Sequence, residues 1–300
     1  MRNQRLFLRI FPRPSGRVDD SATGYYRSVT DLYLLYSGGA GWHYGMAGDG
    51  VRTRAEALTR ENEILVEGLE ITPESRILDV GCGDGAFAAW CAEKFGCRVT
   101  GITPVPEHAF IARALAEKRT VDHLCRFLAG DMNRLPFVDG SFDFVFNQES
   151  VCYARDKTQY LAEVRRLLKP GGAWSAVAFG IREEPLTPAE AVQYGKVLDG
   201  FRIPGLLAPS RLEAALEDAG YAEIKRGDLT PLSRKTAQYI VRVSRFPLWQ
   251  FKLGIAPLFF RVSAVRRRHI HGHFSAGAAF SRGLLEGYCK LTFHRGWKPR

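Results

Sequence analysis

The stretch ILDVGCGDG at residues 77–85 decides the fold. It is an apolar segment that runs into a loop with glycine at every second position, and a helical pattern starts at Ala86. A buried strand, a glycine loop and a helix in this order place backbone amides at the edge of a ligand crevice. The spacing is GxGxG, not the GxGxxG of dinucleotide binders. Asp79 and Asp84 add negative charge, which favours a cationic ligand over a pyrophosphate.

Outward from this stretch, short apolar segments alternate with helical patterns from residue 76 to residue 179. This rhythm is typical of βαβ units in a parallel sheet. The predicted strands are 76–80, 98–102, 125–128, 142–146, 173–179, 221–229 and 288–293, and the predicted helices are 86–95, 106–118, 158–168 and 210–219. Asp156 is a predicted N-cap for the third helix, and Gly171-Gly172 is predicted to separate that helix from the next strand.

Four further motifs follow at strand ends and turns: Gly130-Asp131-Met132, Leu135-Pro136-Phe137, residues 140–143 and residues 168–172. Together with residues 78–85 they resemble the class I S-adenosylmethionine-dependent methyltransferases, closely over residues 72–179. The resemblance implies an α/β fold, with a Rossmann-like, seven-stranded, mostly parallel sheet and helices on both faces. It also implies an N-terminal lid and a helical insertion between strands six and seven.

The resemblance further implies which residues hold S-adenosylmethionine. They are Asp79, Gly81, Cys82, Gly83, Gly85, Thr103, Asp131, Met132 and Asn147. In the family the loop glycines let the methionine part lie against the backbone, and a carboxylate at the position of Asp131 accepts a hydrogen bond from the adenine amino group. Many members end the second strand with an acid that holds the ribose. Thr103 stands near that point here, as in the sterol, tocopherol and cyclopropane-forming branches, which act on lipophilic acceptors.

Candidate catalytic residues follow the fourth strand and lie in the aromatic N-terminal segment. Residues 146–153 are similar to the Asn-x-Glu-Ser stretch of prenyl diphosphate C-methyltransferases, which makes Glu149 the leading carboxylate. It would orient the acceptor, hold a proton or offset positive charge; a helix-capping or surface role is the alternative. His43 is a candidate base or a structural hydrogen-bonding residue, and Tyr153 completes the set. Aromatic rings near His43 would exclude water and face a cation.

The chain divides into four predicted segments. Residues 1–70 form a basic tail and an aromatic lid, 71–230 the methyltransferase core, 231–287 a basic aromatic cap, and 288–300 the last strand. Residues 230–300 hold fourteen Lys or Arg and one acid, whereas the whole chain has a net charge of +10. Basic residues interleaved with aromatics suit nucleic acid, an anionic membrane surface or a phosphorylated ligand; a solvated face over an ordinary core is the alternative.

Within the cap, residues 246–260 are predicted to form an apolar wall beside the acceptor or to pack against the cap's own core. Gly254 and Pro257 would interrupt the helix there. With a prenyl diphosphate as acceptor, the cap, and Arg266-Arg267-Arg268 in particular, would bind phosphate, together with magnesium. With a neutral lipid, the cap would face an anionic membrane instead.

Composition excludes several classes of protein. The chain has 300 residues, 46% apolar and 25% charged, which is the balance of a globular protein with a full core. Its six cysteines form no CxxC pair, which predicts free thiols, a reducing compartment and no structural metal site. No apolar run approaches the ~20 residues of a spanning helix, and no secretory signal is recognised. The expected location is the cytoplasm, with peripheral contact at a membrane surface.

The activity predicted from these features is C-methylation of a lipophilic isoprenoid acceptor, sterol-like or prenyl, by in-line transfer to an alkene. Methylation of oxygen or nitrogen in a small natural product or quinone is the alternative. A nucleic-acid-binding protein of the same fold is a third hypothesis; no Asn-Pro-Pro-Tyr-type base-flipping motif supports it, so nucleic acid is not an expected partner. The sequence leaves the oligomeric state open.

Overall fold

The computed structural model describes residues 19–37, 41–256 and 262–300. Its strands are β1 (Arg76–Val80), β2 (Arg98–Thr103), β3 (Cys125–Ala129), β4 (Phe142–Gln148), β5 (Leu168–Ile181), β6 (Ala222–Asp228) and β7 (Cys289–Trp297). They form one sheet in the order β3-β2-β1-β4-β5-β7-β6, in which β7 runs antiparallel to both neighbours and the other pairs are parallel. The predicted seven-stranded, mostly parallel α/β sheet is confirmed.

Nine α-helices occur within the described residues. They are α1 (Ala22–Ser37), α2 (Arg54–Val66), α3 (Ala86–Phe95), α4 (Pro106–Lys118), α5 (Lys157–Leu167), α6 (Pro188–Phe201), α7 (Pro209–Asp218), α8 (Thr230–Lys252) and α9 (Ala264–Glu286). Local chemistry sets several of their starts. Capping boxes begin α2 at Thr53 and α6 at Thr187, and the carboxylate of Asp156 caps α5 as predicted, since it accepts from the Gln159 amide at 2.9 Å.

Two apolar cores lie on the two faces of the sheet. Neighbouring residues of β1 alternate between them: Ile77 packs with α3, α4 and α9, and Leu78 packs with α5 and α7. The carboxyl ends of β1, β2 and β4 therefore meet at one edge between helix layers. In open α/β sheets this edge holds the ligand crevice.

Strand β5 differs from the prediction. The expected order was a helix to residue 168, a glycine turn and a strand from 173; instead β5 starts at Leu168 and contains Gly171-Gly172. The reason is pairing at a distance: Leu168 pairs with Phe142 of β4, and Gly171 and Gly172 exchange backbone hydrogen bonds with Lys298. Strand β7 likewise runs to Trp297, beyond the predicted residue 293, because it pairs with both β5 and β6.

Two long helices, α8 and α9, lie between β6 and β7. Helix α9 runs antiparallel to α1, and side chains about one turn apart join the two helices. Tyr25 Oη contacts His273 Nδ1 at 2.9 Å, Ser28 Oγ contacts His269 Nδ1 at 2.8 Å, and the Arg266 guanidinium donates to Asp31 at 2.7 Å. The two segments predicted as lid and cap are thus bound to each other.

Parts of these two segments lie outside the described residues. They are residues 1–18, which contain the predicted basic tail, residues 38–40 of the lid, and residues 257–261 of the cap, which include Pro257. Helix α8 ends at Lys252 with Gly254 in the left-handed region (φ 70°), as predicted for that glycine. The division into lid, core and cap as separate units stays a prediction.

Candidate active site

The glycine loop after β1 forms the floor of the site. Gly81, Gly83 and Gly85 all have positive φ, and the amides of Gly81 and Cys82 donate to the Ile102 carbonyl at 2.8 and 3.1 Å. A Cβ on Gly81 would lie 2.5 Å from the Ser150 Cβ, so only glycine fits. Gly81, Cys82 and Gly83 line the central cavity. Gly85 does not; it starts α3 and packs against Ala112 and Phe127.

Two buried carboxyl groups flank this loop. Within the described residues, Asp79 Oδ2 and Asp84 Oδ2 have no hydrogen-bond partner. Burial, and for Asp79 also the nearby Asp84, raises the pKa of Asp79 to about 8; burial raises the pKa of Asp84 to about 6. Orphaned carboxylate oxygens beside a glycine loop fit a cationic ligand that supplies N–H donors. S-adenosylmethionine, with its ammonium and sulfonium, has that chemistry.

The other predicted cofactor residues that line the cavity are Thr103, Asp131 and Met132. Thr103 ends β2 as a buried hydroxyl, and its Oγ1 accepts from the Val105 amide at 3.4 Å. Asp131 follows β3 in an exposed turn, where its Oδ1 accepts from the Asn133 amide at 2.9 Å. A hydroxyl and a carboxylate thus stand beyond β2 and β3, beside the glycine loop.

Asn147 lies elsewhere: it is fully buried inside the sheet and is not among the residues that line the cavity. Its Nδ2 donates to the Val80 carbonyl (3.2 Å) and to Ser150 Oγ (2.8 Å). Its Oδ1 accepts from Tyr160 Oη and from Trp174 Nε1, each at 2.7 Å. Both donor and both acceptor positions of the Asn147 amide are therefore occupied by protein atoms. This arrangement favours a structural role, in which Asn147 joins β1 to β4 and β5, over contact with a cofactor.

The cavity has a volume of about 1220 Å³ and is walled on one side by aromatic rings from the N-terminal segment. Tyr26, Tyr33, Trp42 and His108 form a closed ring of neighbours with centroids 4.6–6.3 Å apart, and Tyr153 and His273 extend it. We call these six residues the aromatic cluster. The Trp42 ring would lie 3.4 Å from a Cβ on Gly83, so the cluster reaches the glycine loop.

Glu149 faces this cluster from the end of β4. Its backbone is in the left-handed region (φ 56°), held by a hydrogen bond from its amide to the Val177 carbonyl at 2.8 Å. Strain of this kind in a non-glycine residue is typical of functional sites. Its Oε1 accepts from the Tyr44 amide at 2.8 Å. Burial, then the neighbouring Glu61, raises the pKa of Glu149 well above its usual range. Glu149 is thus a cavity-lining carboxyl, not a surface residue.

His43 and Tyr153 also line the cavity, but both are already engaged. His43 Nε2 donates to the Leu58 carbonyl at 3.2 Å, and burial lowers the pKa of His43 to about 3. Tyr153 Oη donates to the Phe201 carbonyl at 2.8 Å. A histidine with so low a pKa is a poor base, and its Nε2 is already bonded to Leu58. Both features favour the structural role for His43.

The cap contributes a different surface from the one predicted. Tyr239, Ile240, Val243 and Ser244 of α8 line the cavity. Phe246 and Trp249 do not, and their exposed fractions are 62% and 50%, so the prediction of an apolar wall at these two residues is wrong. The helical repeat turns them to the outer face of α8, while residues 257–260 of that wall lie outside the described part of the chain.

None of the three arginines of the triplet lines the cavity, although Asp20, the partner of Arg268, does. Arg266 binds Asp31 and the Ser28 carbonyl, Arg267 binds the Val262 carbonyl, and Arg268 lies 3.4 Å from Asp20. These side chains hold α1 and neighbouring backbone. The role predicted for them in phosphate binding therefore finds no support in the geometry.

Two residues of the site were missed from the sequence. Glu61 of α2 is buried and Arg54 of the same helix is half-buried, both next to Glu149, and Arg54 donates to the carbonyls of Tyr44 and His43. Their context, RAEALTRENEILV, looks like an ordinary charged helix surface. No local signal marks Glu61 as buried, because its partners come from residues 44–45 and 148–149.

Comparison with known proteins agrees with this geometry. Residues 78–175 match the family model described as "Methyltransferase domain". The chain is 27% identical to 24-methylenesterol C-methyltransferase 2 of Arabidopsis thaliana, over 83% of this chain and 70% of that protein. It is 28% identical to sarcosine/dimethylglycine N-methyltransferase of Halorhodospira halochloris, over 70% and 75%.

Solved structures share the fold. The [4+2]-cyclase SpnF superposes with a TM-score of 0.72 at 24% identity, over 94% of this chain and 98% of that one. Geranyl diphosphate C-methyltransferase from Streptomyces coelicolor, solved with Mg²⁺, geranyl diphosphate and S-adenosylhomocysteine, has a TM-score of 0.66 at 19% identity, over 93% and 99%. The domain match, the fold and the glycine loop with its acidic flanks together identify the chain as a class I S-adenosylmethionine-dependent methyltransferase.

Proposed function

We propose that the protein methylates a carbon atom of a lipophilic isoprenoid acceptor at a carbon–carbon double bond. The observation that carries this proposal is the aromatic cluster beside the half-buried carboxyl of Glu149, both lining a cavity of about 1220 Å³. A volume of this size has room for a cofactor and a second large ligand. The sterol C-methyltransferase relative supports the same acceptor class.

S-adenosylmethionine, when bound, supplies an electrophilic methyl group. Asp79 would hold its ammonium end, Gly81 and Gly83 allow close approach of the ligand to the backbone, and Asp131 would bind the adenine amino group. Helix α1 and residues 41–46 would help to exclude water, because Trp42 lies against Gly83 of the loop and Tyr33 stacks on Trp42. In-line transfer then depends mainly on alignment in this closed space.

An alkene acceptor explains why the wall is aromatic. When its π electrons form the new carbon–carbon bond, a positive charge is left on the neighbouring carbon. Ring faces such as those of Tyr26 and Tyr33 stabilise a cation by about 0.5–2 kcal/mol each. A proton must then leave an adjacent carbon, and Glu149 is the carboxyl beside those rings.

Glu149→Gln tests this assignment. With methyl-labelled S-adenosylmethionine and an acceptor panel of geranyl and farnesyl diphosphates, squalene, a side-chain-unsaturated sterol and a polyprenyl quinol, we expect the variant to lose roughly 10²–10⁴-fold in rate. Cofactor affinity, measured by calorimetry, should stay within a few-fold. A variant as active as the wild type would contradict proton transfer at Glu149.

The N-methyltransferase relative makes methylation of an amine the second candidate, since an aromatic wall also binds ammonium groups. A small amino acid would leave most of the cavity beside the cofactor unfilled. Adding glycine, sarcosine and dimethylglycine to the panel separates the two. Label in these amines with none in the isoprenoids would replace the first proposal.

The same panel distinguishes a neutral acceptor from a diphosphate. We favour the neutral acceptor, because Arg266, Arg267 and Arg268 are engaged with Asp31, Asp20 and backbone carbonyls instead of the cavity. Label extracted directly into solvent supports the neutral lipid. Label extracted only after phosphatase treatment, in a magnesium-dependent reaction, would overturn that choice.

We further propose that the outer face of α8 rests on an anionic membrane from which the acceptor enters. Helix α8 contains five Lys or Arg and no acid, and its exposed face presents Phe246 and Trp249 among Arg242 and Arg245. Such a face suits the headgroup region of a bilayer. The same helix lines the cavity through Tyr239 and Val243, so it connects the surface to the site. Separately, no helix within the described ranges meets the length and apolarity needed to cross a bilayer.

Sedimentation with vesicles tests this surface. Wild-type protein should sediment with phosphatidylglycerol-containing vesicles and much less with pure phosphatidylcholine, and F246S/W249S should weaken binding by about tenfold or more. Phe110→Ser is the matched control, because Phe110 is 59% exposed beside Arg113 on α4. Equal binding by F246S/W249S and wild type would refute the proposal.

A further inference from the structure

A second buried carboxyl, Glu61 of α2, lies against Glu149. Glu61 is fully buried, and its Oε2 accepts from the Gly45 amide at 2.7 Å. Glu149 Oε1 accepts from the preceding amide, that of Tyr44, at 2.8 Å. Consecutive amides of one short segment thus bind the two carboxyls and bring them next to each other.

The neighbouring residues hold the pair in register. Gln148 Nε2 donates to Asn62 Oδ1 at 2.8 Å, so residues 148–149 lie side by side with residues 61–62. Within the described chain, Glu61 Oε1 is buried and has no N–H or hydroxyl donor. Two ionised carboxylates in such contact repel strongly, whereas one shared proton supplies the missing hydrogen bond. A proton shared by Glu61 and Glu149 would therefore satisfy Glu61 Oε1 and remove the repulsion.

If Glu61 and Glu149 share one proton, the pair carries one negative charge, and the groups around it balance that charge. Arg54, from the same helix as Glu61, is the cation that acts on both carboxyls. The groups facing Glu149 from other elements are Tyr26 and Tyr33 of α1, Tyr44, and Cys152, and burial raises the pKa of each of them. These groups stay neutral, and so does His43, which lies at the Arg54 guanidinium. One negative charge on the pair matches one positive charge on Arg54.

We propose that Glu61 and Glu149 work as one proton-sharing pair, in which Glu61 is the positioning residue and Glu149 faces the substrate. This inference rests on the proposed C-methylation. As the alkene π electrons form the bond to the methyl carbon, the bond from that carbon to the cofactor sulfur breaks and its electron pair stays on the sulfur. The bridging proton moves onto Glu61. The Glu149 carboxylate then accepts the proton lost from the adjacent carbon, whose C–H electrons form the new double bond. Release of one proton to water restores the starting pair.

The position of the shared proton decides whether Glu149 can act as a base. Burial, then the neighbouring Glu61, raises the pKa of Glu149 well above its usual range, so Glu149 holds a share of the proton in the resting pair. The shared proton lets it act as a base when the proton shifts to Glu61. Glu61→Gln replaces the shared proton with an amide that donates permanently to Glu149, while the other amide atom still accepts from Gly45.

We therefore expect E61Q to keep substantial activity and to shift the acid limb of the kcat/KM–pH profile downward by about one unit or more, because the like charge is gone and a donor is present. Glu63→Gln is the matched control. It is the same change on the same helix, but Glu63 is half exposed and lies 3.7 Å from Lys94. A purely structural Glu61 would leave the pH profile in place, whatever the rate.

A measurement that needs no acceptor separates this inference from the proposed function. Infrared difference spectra of the cofactor-bound protein at neutral pH should show a protonated-carboxyl band that disappears in E61Q and in E149Q and persists in E63Q. Persistence of the band in both variants overturns the pair. The band behaving as expected while no isoprenoid is methylated overturns the function and leaves the pair standing. If E61Q does not fold, the spectrum of E149Q decides alone.

Discussion

Gly81→Ala tests the geometry of the site most directly, and the chain contains a matched control. Gly81 and Gly50 have nearly the same backbone, with φ of 84° and 81°. A Cβ on Gly81 would lie 2.5 Å from the Ser150 Cβ and 2.8 Å from its Oγ, whereas a Cβ on Gly50 has nothing within 4 Å in the described structure. The two variants therefore share the conformational cost and differ only in the clash.

The magnitudes follow from these distances. Left-handed backbone costs an L-residue about 1–2 kcal/mol, and we expect G50A to lose that much in free energy of unfolding. Carbon atoms attract at about 3.5–4.0 Å, so the new methyl group of G81A must move by about 1 Å, which adds about 1–3 kcal/mol of overpacking. Ser150 yields little, because its Oγ binds the Val80 carbonyl and the Asn147 amide. The expected total for G81A is about 2–5 kcal/mol.

Urea unfolding and calorimetric titration with S-adenosylmethionine are the assays. G81A should also weaken cofactor binding by about tenfold or more. If the loop backbone moves by about 1 Å, S-adenosylmethionine can no longer lie close against it. G50A should bind as the wild type does. Adding Ser150→Gly to G81A should restore the part of the unfolding free energy that was lost to the clash. The part lost to the left-handed backbone at residue 81 should remain lost. Equal losses of stability in G81A and G50A would refute the reasoning.

The remaining predictions concern the other residues of the site and the side-chain contacts between α1 and α9. Asp79→Asn should weaken S-adenosylmethionine binding by about tenfold to a hundredfold. Since the free-state pKa of Asp79 is about 8, wild-type affinity should rise from pH 6 to pH 8 as the carboxyl ionises, and the profile of the variant should be flatter; calorimetry at several pH values checks both. Without cofactor, the free energy of unfolding should fall as the pH rises from about 6.5 to about 8, because Asp79 ionises near 3.9 in the unfolded chain but keeps its proton to about 8 in the folded protein. Below that window the buried histidines, whose pKa values burial lowers, act in the opposite direction; a rise from about pH 6.5 to about pH 8 in urea titrations would contradict the shift of Asp79. Asn147→Ala should cost about 2–4 kcal/mol of stability with cofactor affinity nearly unchanged, measured by unfolding and calorimetry together. Arg266→Gln should lower the melting temperature by loosening α1 from α9, and the Michaelis constant for the isoprenoid that the enzyme methylates should not change, because Arg266 binds Asp31 and does not line the cavity.

Much of the core was predictable because its signals are local. Strand β1 and helices α3 and α4 have the predicted bounds, set by an apolar run, by Gly85 and Gly96 at the two ends of α3, and by Pro106 at the start of α4. The left-handed glycines mark the loop without any knowledge of its neighbours. Strand β5 was placed five residues late because its first residues owe their conformation to pairing with β4 and the C-terminal segment.

The chain's own sequence determined the fold class and the cofactor loop, because strand–loop–helix order and turn glycines are short-range properties, and it marked Glu149 as a candidate carboxyl. Tertiary structure alone decided which groups meet. It brought Glu61 of α2 to Glu149, turned Phe246 outward, and placed Asn147 inside the sheet, not at the cavity. Burial and contact depend on residues a hundred positions apart, and the burial that raises the pKa of a carboxyl leaves no trace in the local pattern.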